Sequence, residues 1–403
     1  MAQHRPSAPR EPLAARLPAF PWDSLAEAKS AASAHPGGLV DLSVGTPVDP
    51  TPERVQQALR EASDAHGYPT TIGTAALRDA LVDFVVRRRG AGAGAGSDGG
   101  SDGGSAGAAG IGHEHVLPTV GSKELVAHLP FQLGIGADGA VAFPHVAYPT
   151  YDMGARFVGA RSVPVDMERL AAEGDAAIDA EDLERIGLLW LNSPGNPTGE
   201  VLDVSQLRSI VSWARERGII VASDECYALL PWDVEEVPSI LDPRVHGGDL
   251  TGLLCVYSLS KQSNLAGYRA AFVAGDPELV GELTAIRKQA GMMLPTPVQV
   301  AMTAALADDD AVRAQHGVYR ARRTALREAV EGFGGEIHGS RAGLYLWTTF
   351  GEDSMASVHE LAKLGILTAP GMFYGEAGER FVRIALTASD ERISAAVERL
   401  TRR

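Results

Sequence analysis

The sequence predicts an α/β protein in which a mostly parallel sheet lies between layers of helices. Short apolar runs of strand length alternate with amphipathic helical stretches through most of the chain, which is typical of a parallel sheet with helices on both faces. Near residue 290 this alternation changes to a long helical stretch followed by short strands, which predicts a smaller α+β domain. Because 403 residues are too many for one small core, two domains are expected.

Four apolar runs are predicted to be buried strands of the larger domain. They occupy residues 140–143, 188–191, 219–222 and 253–257. Helical patterns lie between them, such as residues 204–217, which end at Gly218. Ligands of such sheets bind beyond the carboxyl ends of the strands, so the polar residues that follow these runs are candidates for a site.

The predicted domain organisation follows the change of pattern. Residues 1–50 are expected to form an N-terminal arm and part of the small domain, and residues 51–290 the large domain. Residues 291–403 would supply an interdomain helix, roughly 297–330, and the C-terminal small domain with strands near 343–349, 365–368 and 381–386. Residues 90–112 are almost entirely Gly, Ala, Ser and Asp, so we predict a flexible surface insertion there.

Composition excludes several classes of function. The net charge is -15, from 36 basic and 51 acidic side chains, which disfavours nucleic acid and anionic membranes as partners. No apolar run has spanning length and no signal-peptide core precedes the first strand, so a soluble cytoplasmic protein is expected. The two cysteines, Cys226 and Cys255, have no metal-ligand spacing, and no metal site is expected.

Residues 258–269 carry the most informative motif in the chain. Lys261 follows an apolar run, and Arg269 stands eight residues later after a Gly-Tyr pair. A buried lysine amine with a lowered pKa forms Schiff bases, and the fork of an arginine suits a phosphate. Pyridoxal 5'-phosphate, an aldehyde with a phosphate arm, needs both groups. Taken alone, the segment is also compatible with a strand followed by a polar turn.

Polar residues also follow two other predicted strands. Asn196, in the turn Asn-Pro-Thr-Gly, can donate an amide hydrogen bond. Asp224 follows the run 219–222 and can keep a pyridine nitrogen protonated, while Tyr227 can reach the phenolic oxygen of the same ring. An ordinary turn, a helix-capping aspartate and a packed tyrosine are the alternatives.

Two further segments fit the same ligand. Ser122 and Lys123 follow Gly121 at the start of a predicted apolar helix, where free backbone N–H groups form an anion site. Tyr148 follows the strand 140–143, so its ring can lie over a flat cofactor. A plain capped helix and a core or turn tyrosine are the alternatives.

In combination, these motifs resemble class I/II aminotransferases, which are pyridoxal-phosphate enzymes of fold type I. The resemblance covers residues from about 20 to 403, apart from the insertion at 90–112. It implies a seven-stranded, mostly parallel sheet, pyridoxal 5'-phosphate as the cofactor, and a Schiff base between that cofactor and Lys261. The catalytic residues that it implies are Lys261, Asp224 and Tyr227.

The resemblance also assigns the other contacts. The phosphate would be held by Ser122, Lys123, Ser258, Ser260 and Arg269. The ring would be held by Asp224 at its nitrogen, by Asn196 and Tyr227 at its phenolic oxygen, and by Tyr148, which would stack on it.

A dimer and a substrate contact are implied as well. Tyr68 lies in a Tyr-x-x-x-x-Gly-x-x-x-Leu-Arg segment, whose tyrosine in this family reaches the phosphate of the neighbouring subunit in a homodimer. Arg383, in Phe-Val-Arg-Ile-Ala-Leu, matches the arginine that binds the substrate α-carboxylate, for which a bidentate guanidinium is suited. Gly45 would add a backbone contact to that carboxylate, although a simple strand-end turn also explains it.

Residues 17–23, 40–50 and 290–293 resemble a subgroup, the actinobacterial N-succinyl-diaminopimelate aminotransferases of lysine biosynthesis. This implies amino transfer between glutamate and N-succinyl-2-amino-6-ketopimelate. Arg156, Arg287 and Lys288 are candidates for the distal carboxylates, or else solvated surface charges. The alternatives are an aminotransferase for aromatic or aspartate-like amino acids and a β-lyase of the same fold. A transcriptional regulator of this fold is disfavoured by the acidic charge.

Overall fold

A computed structural model describes residues 12, 17–18, 21–91 and 110–402 of the chain. The predicted insertion at residues 90–112 falls largely on residues 92–109, which lie outside the described residues, as does most of the N-terminal arm. The predictions for those two segments therefore stay predictions.

Fifteen α-helices are present in the described residues. They are α1 (Ala26–Ser33), α2 (Glu53–Glu61), α3 (Ala75–Arg88), α4 (Ser122–Gln132), α5 (Thr150–Val158), α6 (Met167–Glu173), α7 (Ala180–Leu183), α8 (Val204–Arg215), α9 (Pro243–His246), α10 (Leu259–Gln262), α11 (Pro277–Ala290), α12 (Thr296–Leu306), α13 (Asp309–Phe333), α14 (Ser354–Lys363) and α15 (Asp390–Thr401). Short 3-10 helices occupy Pro21–Leu25, His113–His115, Gly174–Ala177, Ala266–Tyr268, Gly371–Tyr374 and Glu376–Gly378.

Thirteen strands accompany the helices in this part of the chain. They are β1 (Val40–Asp41), β2 (Val116–Val120), β3 (Ala140–Pro144), β4 (Arg161–Val165), β5 (Ile186–Asn192), β6 (Ile220–Asp224), β7 (Leu253–Ser258), β8 (Ala270–Gly275), β9 (Glu336–His338), β10 (Tyr345–Thr349), β11 (Ile366–Leu367), β12 (Ala369–Pro370) and β13 (Phe381–Ala385).

Seven strands form the large sheet, in the order β2-β8-β7-β6-β5-β3-β4. β8 is antiparallel to both of its neighbours, and the remaining pairs are parallel. The predicted fold class is therefore confirmed. The four predicted strands correspond to β3, β5, β6 and β7. The two edge strands, β2 and β4, contain Pro118 and Pro164, which an edge tolerates because one side of the strand needs no N–H donors.

Helices cover both faces of this sheet, as the alternation predicted. In β5, Leu189 and Leu191 pack with residues of α2, α3, α8 and α12 on one face. The intervening Leu188 and Trp190 pack with α4, α5 and α11 on the other. All four side chains are fully buried. This two-residue period, apolar on both faces, is what a central parallel strand requires.

The smaller α+β part contains an antiparallel sheet of four strands, in the order β12-β13-β10-β9. β1, near the start of the described chain, pairs in parallel with β11. The prediction of one helical stretch over 297–330 is wrong, because the helix breaks between α12 and α13. The side chain of Asp308 accepts a hydrogen bond from the backbone N–H of Ala311 (3.1 Å) and so caps a new helix. The domain limits at residues 50 and 290 stay a prediction.

A loop that follows β1 joins the two parts of the molecule. Arg322 of α13 binds both carboxylate oxygens of Asp49, at 2.8 and 2.6 Å. Gln315 donates to the same carboxylate at 2.9 Å and accepts from the side chain of Asn264 at 2.8 Å. Asn264 stands three residues after Lys261, so this network connects the segment around that lysine with α13.

A buried ion pair lies beneath the end of β6. Nη2 and Nε of Arg89 donate to Oε2 of Glu225 at 2.7 and 3.0 Å. The same carboxylate accepts from the Ser239 hydroxyl (2.7 Å) and from the backbone N–H of Ile240 (2.8 Å). Both charged side chains are almost fully buried, and Glu225 is adjacent to Asp224. The ion pair therefore fixes the backbone at the carboxyl end of β6.

We predict that Glu225→Ala lowers the free energy of unfolding by about 3–5 kcal/mol, because it leaves the Arg89 charge buried without its partner. Urea unfolding of the cofactor-free protein measures this loss. Glu360→Ala, which removes the exposed partner of Lys363, is the control and should leave the unfolding midpoint unchanged. Equal midpoints for the two variants would contradict the role given to the buried pair.

Candidate active site

The carboxyl ends of β5, β6 and β7 bring the predicted site residues together. Asn192 pairs in register with Asp224, and Asp224 pairs with Val256, so the residues that follow these strands lie at one edge. A cavity of about 770 Å³ opens there. Twelve of the thirteen predicted site residues line it: Gly45, Ser122, Lys123, Tyr148, Asn196, Asp224, Tyr227, Ser258, Ser260, Lys261, Arg269 and Arg383.

Lys261 lies in α10 with its amine directed into this cavity. Its Nζ donates a hydrogen bond to the carbonyl oxygen of Gly45. Burial lowers the pKa of the amine, and the nearby charges of Arg383 and Arg269 lower it further. A neutral amine is the form that attacks an aldehyde. The lowered pKa therefore makes the neutral form of Lys261 more accessible than that of an exposed lysine.

One end of the cavity is suited to a phosphate group. Arg269 has a left-handed backbone (φ +57°), and its Nη1 donates to the Ala266 carbonyl at 2.8 Å. The hydroxyls of Ser258 and Ser260 are hydrogen-bonded to each other at 2.8 Å. Gly121, just before α4, has a φ of +82°, and a Cβ there would overlap the Arg269 guanidinium. A guanidinium, two hydroxyls and a helix N-terminus converge on this end.

The cavity lining also includes a buried carboxylate, that of Asp224. Asp224 accepts hydrogen bonds from the Tyr151 hydroxyl (2.9 Å) and from the backbone N–H of Cys226 (3.2 Å). Burial raises the pKa of this carboxyl, and in the described part of the chain no lysine, arginine or histidine forms an ion pair with it. A protonated pyridine nitrogen would supply the missing positive charge. The residues present therefore fit pyridoxal 5'-phosphate, which when bound withdraws electrons from the substrate α-carbon through the substrate nitrogen.

Asn196 and Arg383 contact each other inside the cavity. Nη1 of Arg383 donates to Oδ1 of Asn196 at 3.0 Å, and Nη2 donates to the Ser43 carbonyl at 2.7 Å. The guanidinium stacks on the ring of Tyr345, with 4.1 Å between its central carbon and the ring centre. Its acceptors are uncharged, so the positive charge of this buried arginine stays available for an anion.

Tyrosines form the remaining walls. The Tyr227 hydroxyl lies 3.1 Å from the hydroxyl of Tyr345. Burial raises the pKa of Tyr148 to about 12, so this side chain stays neutral. Nζ of Lys123 lies 5.9 Å from the centre of the Tyr148 ring. Tyr148 and Lys123 therefore share one wall of the cavity.

The structure does not bring every candidate to the cavity. Tyr68 is 97% exposed and lies outside the lining residues. Arg287, a candidate for the distal carboxylates or a solvated charge, is instead fully buried and binds both oxygens of Glu124 at 3.1 and 2.8 Å. Arg156 pairs with Asp152 at 2.8 Å. Neither of these arginines, nor Lys288, lines the cavity.

Sequence reasoning missed several lining residues. They include Trp22, Val44, Thr46, Cys226 and Tyr345. Cys226 stands between Asp224 and Tyr227, so its position next to a candidate could have indicated it. Tyr345 lies in an apolar strand with no motif around it, and it reaches the site by tertiary packing alone.

Fold and site together define a pyridoxal-phosphate-dependent transferase. The chain belongs to the aminotransferase class I and II family, whose model matches residues 38–400 and whose members depend on this cofactor. Within the described residues no helix has the length and apolarity to cross a membrane.

Three similar proteins illustrate the range of the family. A probable aminotransferase of Mycobacterium tuberculosis is 52% identical, over 96% of this chain and 86% of its own length. The 4-dedimethylamino-4-oxo-anhydrotetracycline transaminase OxyQ of Streptomyces rimosus is 50% identical, over 96% of this chain and 99% of its own. The solved structure of a probable N-succinyldiaminopimelate aminotransferase from Thermus thermophilus is 28% identical, with a TM-score of 0.80 over 94% of this chain and 99% of its own.

We predict that Gly121→Ala weakens the binding of pyridoxal 5'-phosphate roughly tenfold to a hundredfold. The added methyl group displaces the Arg269 guanidinium, and a hydrogen bond to a charged group is worth about 1.5–3 kcal/mol. Titrating the cofactor-free protein and following its absorbance measures the dissociation constant.

Gly134→Ala is the matched control for this substitution. Gly134 also has a positive φ, +69°, but a Cβ there meets no atom within 4 Å in the described structure. It should lower stability by about 1–2 kcal/mol and leave cofactor affinity unchanged. If Gly121→Ala binds the cofactor as tightly as this control, Arg269 does not hold the phosphate.

Proposed function

We propose that this aminotransferase moves an amino group between glutamate and N-succinyl-2-amino-6-ketopimelate, giving 2-oxoglutarate and N-succinyl-LL-2,6-diaminopimelate for lysine biosynthesis. The observation that carries the proposal is that Lys261 and Arg383 line the same cavity. An amine whose pKa is lowered by burial and a buried guanidinium that pairs with no carboxylate of the described residues suit a substrate that has an amino or keto group next to a carboxylate.

The residues have separate tasks in this proposal. Arg383 binds the substrate α-carboxylate, with Gly45 beside it, and so fixes the reacting carbon. The amine of Lys261 would hold the cofactor at its aldehyde carbon until the donor's amino group takes its place, and as a free base it would then move a proton between the substrate α-carbon and that carbon. Asp224 would keep the ring nitrogen protonated, while Asn196 and Tyr227 would donate to the phenolic oxygen.

Support for the succinylated substrate comes from two sides. The subgroup resemblance in residues 17–23 and 40–50 indicates it, and the Thermus thermophilus protein of similar structure is described as a probable N-succinyldiaminopimelate aminotransferase. The cavity of about 770 Å³ lies in the range of sites that hold drug-sized ligands. A substrate of this length is therefore compatible with the site.

A second candidate is a polycyclic ketone. OxyQ, 50% identical, is described as a transaminase of an oxo-anhydrotetracycline. A ketone without an adjacent carboxylate would leave the Arg383 guanidinium unpaired in the cavity, which costs binding energy. The site therefore favours the amino-acid substrate.

We further propose a homodimer in which Tyr68 reaches the phosphate of the partner subunit's cofactor. The tyrosine is 97% exposed, and Ile72, four residues further along the chain, is also an exposed large apolar side chain. Such a group of apolar side chains on the surface is typical of a contact with another chain.

We predict that Lys261→Ala abolishes turnover, while Lys363→Ala, a surface lysine paired with Glu360, does not. A panel of amino donors mixed with the wild-type enzyme then identifies the substrate through the loss of the cofactor's visible absorbance in a single half-reaction. Glutamate and N-succinyl-LL-2,6-diaminopimelate should respond fastest. A response to aromatic donors but not to these two would refute the proposed substrate and leave the aminotransferase class intact.

We predict that Arg383→Lys raises the KM for glutamate roughly tenfold or more, because an ammonium cannot bind a carboxylate in the bidentate manner of a guanidinium. Arg380→Lys, at an exposed position on the same segment, should leave KM unchanged. Half-reaction kinetics measure both variants. An unchanged KM for Arg383→Lys would refute the role given to Arg383 in binding the α-carboxylate.

A further inference from the structure

One tyrosine in the cavity lies against three of the proposed functional residues, Tyr227, Arg383 and Gly45, although no motif marks it. It is Tyr345, the first residue of β10, whose side chain is 4% exposed. The hydroxyl lies 3.1 Å from that of Tyr227, and the ring lies under the Arg383 guanidinium. A Cβ added to Gly45 would overlap the Tyr345 hydroxyl, so this oxygen lies against the backbone to which Lys261 donates.

The contact between the two hydroxyls crosses from one sheet to the other. Tyr227 follows β6 of the seven-stranded sheet, whereas Tyr345 belongs to the four-stranded sheet. In that sheet β10 is the direct neighbour of β13, which carries Arg383. Tyr345 therefore connects the strand pair that carries Arg383 with Tyr227.

The direction of the hydrogen bond between Tyr345 and Tyr227 follows from the number of hydrogens that each hydroxyl carries. A tyrosine hydroxyl has one hydrogen to donate. If Tyr227 donates it to the phenolic oxygen of the cofactor, Tyr345 has to donate to the oxygen of Tyr227. Although burial opposes its ionisation, the Arg383 guanidinium holds the pKa of Tyr345 below the usual value, which makes it a good donor. A donated hydrogen bond in turn strengthens the one that the acceptor donates onward.

We propose that Tyr345 is a positioning residue, which orients the Tyr227 hydroxyl toward the cofactor and links that contact to carboxylate binding at Arg383. The inference rests on the proposed roles of Tyr227 and Arg383. In this arrangement Tyr345 acts through the residues that it contacts, Tyr227 and Arg383.

The ionisable groups around the Tyr345 hydroxyl come from several elements. They are Tyr148, Tyr227, Lys261, Tyr319, Tyr374 and Arg383. Of these, Tyr374 supplies a matched control. Its ring also lies beside the Arg383 guanidinium, at 5.0 Å, but its hydroxyl has no hydrogen-bond partner among the described residues.

The experiment measures the pH midpoint at which the visible absorbance of the bound cofactor changes. A donor to the phenolic oxygen stabilises its negative charge and so lowers this midpoint. Tyr345→Phe, which keeps the ring and removes the hydroxyl, should raise the midpoint by about 0.5 pH unit. Tyr227→Phe should raise it by about 1 unit, and the double variant should match Tyr227→Phe alone. Tyr374→Phe should leave it unchanged.

Succinate, a dicarboxylate that cannot react, tests the link to Arg383. Its negative charge should raise the midpoint of the wild-type enzyme and of Tyr374→Phe, and this rise should fall to about half or less in Tyr345→Phe. Equal rises in all three proteins would overturn the proposed link. A midpoint shift in Tyr345→Phe that adds fully to that of Tyr227→Phe would overturn the proposed action through Tyr227.

Two outcomes separate this inference from the proposed function. An unchanged midpoint in Tyr227→Phe would refute the role given to Tyr227 itself, and with it the inference. A shift in Tyr227→Phe but none in Tyr345→Phe refutes the inference alone. If Tyr345→Phe does not fold, Gly45→Ala displaces the same hydroxyl by steric overlap and should raise the midpoint. An unchanged midpoint there overturns the proposal.

Discussion

The site depends on a hydrogen bond between neighbouring strands. The side chain of Asn192, the last residue of β5, donates to the carbonyl oxygen of Asp224 on β6 at 3.0 Å and accepts from the backbone N–H of Asn196 at 2.8 Å. One amide group thereby fixes the end of the strand that carries the buried carboxylate and the turn that carries Asn196. Asn196 in turn accepts a hydrogen bond from Arg383 at 3.0 Å. Because Arg383 lies in β13, this contact also fixes the four-stranded sheet relative to Asn192.

A second constraint comes from the loop after β1. Its carbonyl groups at Ser43 and Gly45 accept from Arg383 and Lys261, and its Asp49 binds Arg322 of the long helix α13. Within seven residues, 43–49, the loop therefore contacts Arg383, Lys261 and helix α13. Precise placement of a carboxylate-binding arginine relative to an amine requires such shared supports, because a shift of about 1 Å is costly to catalysis.

The sequence allowed the chemistry to be predicted better than the packing. Long apolar runs predicted β3, β5, β6 and β7, but β2 and β4 are interrupted by Pro118 and Pro164, and β8 is rich in alanine and glycine, which have weak strand propensity. The break before α13 was missed because Asp308 and its neighbours form one acidic, helix-compatible run.

At the site, too, the residues with a chemical role could be predicted and those placed by packing could not. Lys261, Asp224 and Arg269 stand in motifs whose spacing reflects cofactor chemistry, so they could be predicted. Tyr345 and Trp22 line the cavity because segments that are distant in the sequence fold together. The local sequence around these two residues does not predict that contact.

The amine of Lys261 rests on a backbone carbonyl, and no carboxylate pairs with it in the described structure. Without a counter-ion to hold its proton, this amine loses the proton more readily than an exposed lysine does. A small aldehyde that entered the cavity before the cofactor would therefore meet the same nucleophile.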